Sequence, residues 1–213
     1  MKHLIAIAML ILGPASAHAQ TPQKPAAECG VISAKYMDLS FNEFDQTEGA
    51  GWREIAGKPG CQLAAADLIA EYRERALDKA FGLDWHEAQA RAVAGQTEKA
   101  LELFRRDLAY EKSLPAEHRS DNNILKAEAT IAFLEGDLNT LRAKRAELAA
   151  MPKPDGFEEA IAKFKKNFPG APPPEWPLNL SVVDGLIHCF GKPYAVAYGD
   201  CGPSNTSSEP AVP

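Results

Sequence analysis

The run Ala88-Gln89-Ala90-Arg91-Ala92-Val93-Ala94-Gly95-Gln96-Thr97-Glu98-Lys99-Ala100-Leu101-Glu102-Leu103-Phe104 holds a helix, its stop signal and the start of a second helix. Apolar residues recur on both sides of Gly95 at three- and four-residue steps, the spacing of a helix with one apolar face. Glycine at the join accepts the left-handed backbone that ends a helix at little cost. Thr97 is the expected cap of the second helix. Two helices joined so tightly reverse direction, and neither buries its apolar stripe alone, so further helices must stack on the pair.

The same grammar extends outward. Upstream, Ala65, Leu68, Ile69, Tyr72, Ala76 and Ala80 share one face, with Arg73, Glu74, Arg75 and Asp78 on the other. Gly82 interrupts that helix, and Asp84 is the expected N-cap of the helix Trp85 to Ala94. Further upstream, Tyr36, Leu39, Phe41 and Phe44 predict one or two short helical turns, and the acids Asp38, Glu43, Asp45 and Glu48 read as a solvated face. Downstream, Pro115 marks a loop and Asp121 or Asn122 is expected to cap the next helix. Its residues Ile124, Leu125, Ala127, Ala129, Ile131, Ala132, Phe133 and Leu134 are apolar over most of the circumference, which places it in the middle of the structure. Gly136-Asp137 turns the chain into a helix marked by Leu138, Leu141 and Leu148. Phe157, Ile161, Phe164 and Phe168 then form an apolar stripe opposite Lys163, Lys165 and Lys166. Five prolines from Pro169 to Pro177 forbid regular structure and predict an extended strap. Val183, Leu186, Ile187 and Phe190 predict a last long helix, with one more short turn from Pro193 to Tyr198. No strand pattern occurs, so the expected class is all-α: about three stacked antiparallel hairpins, one or two C-terminal helices and the strap.

Aligned on the turn glycines Gly60, Gly95 and Gly136, the hairpins fall into rough register. Five residues on stand Ala65, Ala100 and Leu141, nine on stand Ile69, Phe104 and Arg145, and Ala88 and Ala129 precede the second and third glycines by seven. Ala100-x-x-x-Phe104 with Ala88 upstream, and the Gly136-Asp137 bend, resemble the tetratricopeptide repeat over roughly residues 50 to 150. That resemblance implies a protein- or peptide-binding module with its first helices on the concave side. The departures are Trp85, one position from the expected aromatic, Arg145 where the second helix has an aromatic, and a period that moves from 35 to 41 residues.

The first residues predict a compartment. Lys2 precedes the uncharged run Leu4 to Leu12, Gly13-Pro14 ends it, and Ala17-His18-Ala19 offers a small-x-small cleavage site, the pattern of a secretory signal peptide. The expected divisions are a signal peptide at 1–19, a flexible lead-in and irregular segment at 20–48, one helical-repeat domain at 49–201 and a disordered tail at 202–213. The apolar run is shorter than the roughly 20 residues that span a bilayer, so no stable membrane insertion is expected after cleavage. The expected localisation is periplasmic or secreted. Cys29, Cys61, Cys189 and Cys201 all follow the signal, and an even count in an oxidising compartment reads as two disulfides. Of three pairings, sequence proximity favours Cys29–Cys61 and Cys189–Cys201. The net charge of −6, or −7 without Lys2, excludes a nucleic-acid partner that needs a basic face.

No catalytic signature emerges. The chain lacks a Gly-x-Ser-x-Gly elbow, and His86-Glu87 opens a zinc-peptidase motif that Ala90 and Arg91 do not complete. No Cys-x-x-Cys spacing or glycine-rich phosphate loop is present, so neither a metal nor another cofactor is expected. The expected function is therefore an exported, non-enzymatic helical-repeat module that binds or scaffolds another protein or peptide in the cell envelope. Trp85, Gln89 and Arg91 are the candidate binding residues, because the first helices of stacked hairpins face the inside of the curve. The alternative is a small exported hydrolase-like enzyme with a site assembled from His86, Glu87 and His188.

Overall fold

The computed structural model describes residues 22–75, 82–199 and 201. The expected signal peptide, the tail from 202 onward, and Ala76 and Ala80 of the first stripe lie outside the described residues. Among those residues the chain is all-α and has no strand. Its helices are α1 (Ser33–Met37), α2 (Gly51–Ala56), α3 (Gln62–Arg75), α4 (Leu83–Val93), α5 (Thr97–Ser113), α6 (Asp121–Glu135), α7 (Leu138–Ala149), α8 (Phe157–Asn167), α9 (Leu180–His188) and α10 (Tyr194–Gly199). A π-helical turn, Asn42–Gln46, and a 3-10 turn, Ala116–His118, complete them. Among the described residues no helix is long and apolar enough to cross a membrane.

Packing follows chain order. α3 lies on α4, α4 on α5, α5 on α6 and α6 on α7; α9 then covers α6 and α7, and α10 returns to α9 and α4. Two sharp turns make the sequence of neighbours possible. Gly95 has φ 83°, and the Gln96 N–H closes back onto the Arg91 carbonyl at 2.8 Å. Gly136 has φ 76°, with the Asp137 N–H on the Ala132 carbonyl at 2.8 Å. Both satisfy carbonyls that a helix end would otherwise leave open, and both need the left-handed residue that glycine supplies. Asp137 then caps α7 by accepting from the Thr140 N–H at 3.0 Å.

The helix starts differ from expectation by one or two residues in three places. Gly82, not Asp84, stands at the start of α4, because Asp84 is drawn onto two arginines from neighbouring helices. Gln96 precedes α5, so Thr97 is already helical. Ser120 caps α6 in place of Asp121 or Asn122, its hydroxyl accepting from the Asn123 N–H at 3.3 Å.

Two core clusters result. One joins Ala88, Ala100 and Phe104 to Ala129, Phe133, Leu141, Leu148 and Leu186. The other joins Cys29, Tyr36 and Phe44 to Trp52, Ile55, Leu68, Ile69, Tyr72 and Leu83. The stretch 20–48 thus feeds the core from Cys29 onward: Phe44 stacks on Tyr72 with ring centroids 3.8 Å apart, and the Tyr72 hydroxyl donates to the Leu39 carbonyl at 2.9 Å. Both cysteine pairs form as sequence proximity suggests, Cys29–Cys61 and Cys189–Cys201. The centre of the fold is α6, whose Ala127, Ala129, Thr130, Ile131, Ala132 and Phe133 are all buried. Charge reinforces the stack. Asp84 on α4 is gripped by Arg73 from α3 and by Arg106 from α5, the latter at 2.5 and 2.6 Å. Arg145 on α7 reaches Asp184 on α9 at 2.8 Å.

The strongly amphipathic α8 buries none of its residues. Phe157 meets Trp176 of the strap edge-on at 5.4 Å, the Trp176 Nε1–H donates to the Met151 carbonyl at 3.0 Å, and Phe168 is left 56% exposed. Depth should therefore separate two chemically identical substitutions. Phe104→Ala removes a wholly buried ring that touches Trp85 and Tyr194 and should cost about 3–5 kcal/mol in urea unfolding. Phe168→Ala should cost less than about 1 kcal/mol.

Candidate functional site

The π-turn decides where the lead-in puts its side chains. Its wider pitch turns the consecutive residues Phe44 and Asp45 both inward, and Asp45 ends 1% exposed. Gly51, at φ 53°, lets α2 press against that turn: a Cβ at this position would stand 1.9 Å from the Phe44 carbonyl oxygen. The close approach brings Trp52 into reach, and its Nε1–H donates to Asp45 Oδ1 at 2.8 Å. The Gln46 amide bonds the other oxygen, and the Arg53 Nε–H holds the Asp45 carbonyl at 2.9 Å.

From the other side α4 contributes His86, with Nδ1 2.7 Å from Asp45 Oδ1. Burial alone would raise the Asp45 carboxyl pKa, but the bonds from His86 and Trp52 and the charge of Arg53 outweigh it and hold the group below its ordinary value. A carboxylate only accepts, so Nδ1 carries the proton in this contact and Nε2 is the nitrogen left for other partners.

This arrangement forms one wall of a cavity of about 260 Å³. Phe41, Asp45 and Gln46 come from the lead-in, Gly82, Trp85 and His86 from the start of α4, Asp107, Leu108 and Glu111 from α5, and Asn123, Ile124, Lys126 and Ala127 from α6. Two of its ionisable groups are strongly perturbed. Burial, with the nearby charges of Asp84 and Glu111, pushes Asp107 up to about 6, against the opposing pull of Lys126 and His86. Burial pushes Lys126 down to about 8, partly restored by Asp107 and Glu111. The Lys126 ammonium sits 3.9 Å from the centre of the Trp85 ring, a cation–π contact, and Trp85 is backed by Phe104 at 4.7 Å. A second cavity of about 330 Å³ lies beside the Gly136 turn and Tyr194, with Glu135 and Lys192 its charged residues. Apolar walls with convergent polar groups of shifted pKa single out the first.

The residues expected to bind a ligand separate here. Trp85 lines the cavity. Gln89, one turn on, lies against the buried Tyr194 hydroxyl without closing a hydrogen bond of good geometry. Arg91 is 6% exposed and engaged by Glu87 at 2.6 Å, Gln96 at 2.7 Å and Asp67 at 3.1 Å. Of the acids and histidines considered around His86, Glu87 is committed to Arg91 and Arg73, while His188 ends α9; Asp45 is the acid that meets His86. Asp45, Asp107 and Lys126 belong to no sequence motif. Lys126 did leave a trace, as a lone cation inside the apolar run of α6. No group of three or more His, Cys, Asp or Glu among the described residues has the geometry of a metal site. Comparison with family models, with curated proteins and with solved structures returns no match to this chain.

Opposite pKa shifts predict opposite substitution effects. Asp45 has a depressed pKa, so its contribution is present above the unfolded value near 4 and is lost as pH falls through the folded one. Asp45→Asn should cost about 2 kcal/mol at pH 7, measured by urea unfolding, and progressively less at acid pH. Asp107 has a raised pKa, so its ionised form opposes folding above about pH 6 and the opposition fades as pH falls toward 4. Asp107→Asn should stabilise by about 1 kcal/mol at pH 8, after allowing for solvent screening, and by nothing measurable at pH 4.

Proposed function

We propose that this chain is a helical-repeat binding module of the exported class, and that its ligand, a peptide or a segment of another protein, seats in the cavity between the lead-in and α4–α6. The observation that carries the reading is the pre-set wall: a buried carboxylate holds His86 in one orientation beside a Trp85 face capped by Lys126. A site whose side chains are immobilised before the ligand arrives loses less entropy on binding. Supporting the exported assignment are two disulfides, which persist in oxidising compartments, and the signal-like first residues. The order of neighbours from α3 to α7, with glycine turns after α4 and α6, supports the stacked-hairpin, tetratricopeptide-like arrangement.

The test is residue-specific. In a ¹H–¹⁵N spectrum the three tryptophans give three indole signals. A pool of short peptides should shift the Trp85 signal and leave Trp176 unmoved, and Trp85→Ala should abolish saturable binding. Saturation at the Trp176 and Phe168 surface, or no saturable response, would contradict the reading.

The 2.7 Å contact between His86 and Asp45 favours one second reading, a hydrolase in which His86 Nε2 takes a proton from water. No Ser, Thr or Cys is among the residues lining the cavity, so water is the nucleophile this reading requires. Turnover of ester or peptide substrates that disappears in His86→Ala would support it, and turnover unchanged by that substitution would exclude it.

A further inference from the structure

Buried and half-buried acids elsewhere in the fold have cationic partners in contact. Asp84 has Arg73 and Arg106, Glu87 has Arg91, Asp184 has Arg145, and Glu128 has Lys112 and Lys144, the last at 3.0 Å. The cavity breaks that rule: among the described residues Glu111 there has no cation within 4 Å, its carboxylate accepting instead from the Ser120 N–H at 2.7 Å. Among the described residues, Asp107 has no cation within 4 Å and Lys126 has no carboxylate within 4 Å. They stand on adjacent helices and line the same space, yet Lys126 lies over the Trp85 ring and does not close on Asp107. An apolar surface from Phe41, Leu108 and Ile124 completes the lining. A carboxylate and an ammonium that both lack a direct partner and share one small cavity are the complement of a molecule carrying the opposite two charges.

We propose that the cavity is a zwitterion site, taking a small molecule with an ammonium and a carboxylate on an apolar body: a free amino acid or a short peptide with both ends unblocked. This rests on the reading that the cavity is the ligand site and adds the chemical class of ligand. The ligand ammonium pairs with Asp107, whose field is strengthened by Asp84 on α4 and by Glu111 on α5. The ligand carboxylate pairs with Lys126, and the apolar body lies against Phe41, Leu108 and Ile124. The volume of about 260 Å³ suits a solute of this size and is below the usual range for drug-sized ligands.

Proton linkage supplies a signature that a generic apolar pocket lacks. Pairing with an ammonium lowers the Asp107 pKa, so binding near pH 6 expels protons. Pairing with a carboxylate raises the Lys126 pKa, so binding near pH 8 takes protons up. Asp45 on the lead-in, Asp84 and His86 on α4 and Glu111 on α5 are the other titratable groups around this pair.

The experiment is isothermal titration calorimetry on the full chain, using a pool of the free amino acids and a pool of unblocked dipeptides. The same pools amidated at the carboxylate, or acetylated at the ammonium, are the controls, and each titration is run in buffers of different ionisation enthalpy. The expected result is binding by an unblocked pool at least tenfold tighter than by either blocked counterpart, with proton release at pH 6 and uptake at pH 8. Preference for the amino-acid pool assigns the free molecule as the source, and preference for dipeptides assigns the peptide; either supports the proposal. Asp107→Asn and Lys126→Met should each weaken binding at least tenfold while circular dichroism stays unchanged. If either variant fails to fold, the blocked-ligand comparison on the unaltered chain decides. Blocked pools that bind as well as unblocked ones, with the Trp85 indole signal shifting, overturn the zwitterion site and leave the cavity as the binding site. Absence of any response at Trp85 overturns both.

Discussion

A single buried carboxylate organises the N-terminal half of this molecule. Asp45 cannot remain charged in the interior unless its oxygens are fully engaged, and the chain supplies donors from three places to engage them: Gln46 beside it, Trp52 on α2 and His86 on α4. The consequence is mechanical. The lead-in, joined to α3 by the Cys29–Cys61 disulfide, is also joined to the start of α4, and the space enclosed between them becomes a cavity with fixed walls. Gly51 makes the arrangement possible by letting two backbones approach more closely than any side chain permits.

Charge does two different jobs in this fold. Between α3, α4 and α5 the arginines Arg73, Arg91 and Arg106 are saturated with acids, and that network clamps the stack. In the adjoining cavity, Asp107 and Lys126 are held in surroundings that disfavour their charged forms, and neither is relieved by a direct ion pair among the described residues. Folding selects against such arrangements, because an unpaired buried charge costs stability. Two of them in one cavity are the observation on which the proposed binding site rests.

The helices were legible in the sequence because their signals are local. Alternating apolar steps around Gly95 and the uninterrupted apolar surface of α6 depend on nothing distant, and the same holds for the pairing of cysteines near one another in the chain. The cavity was not legible, for the opposite reason. Asp45 sits in an acidic stretch that reads as a wet face, and only the π-turn and the approach of α2 and α4 turn it inward. Arg91 illustrates the reverse error: helical position suggests an open concave face, while Asp67 and Glu87 absorb it into the α3–α4 contact. Phe157, Ile161, Phe164 and Phe168 spell an amphipathic helix correctly, but periodicity does not say whether a core exists to receive it, and α8 stays on the surface.

Asp107 and Lys126 are built into the cavity without a direct ion pair among the described residues, and the most direct test is the side-chain carboxyl ¹³C titration of Asp45 and Asp107. Asp107 is predicted to titrate near 6, and Asp45 below its ordinary value. An Asp107 midpoint at or below 4 would show that a cation already neutralises it, and would contradict the account.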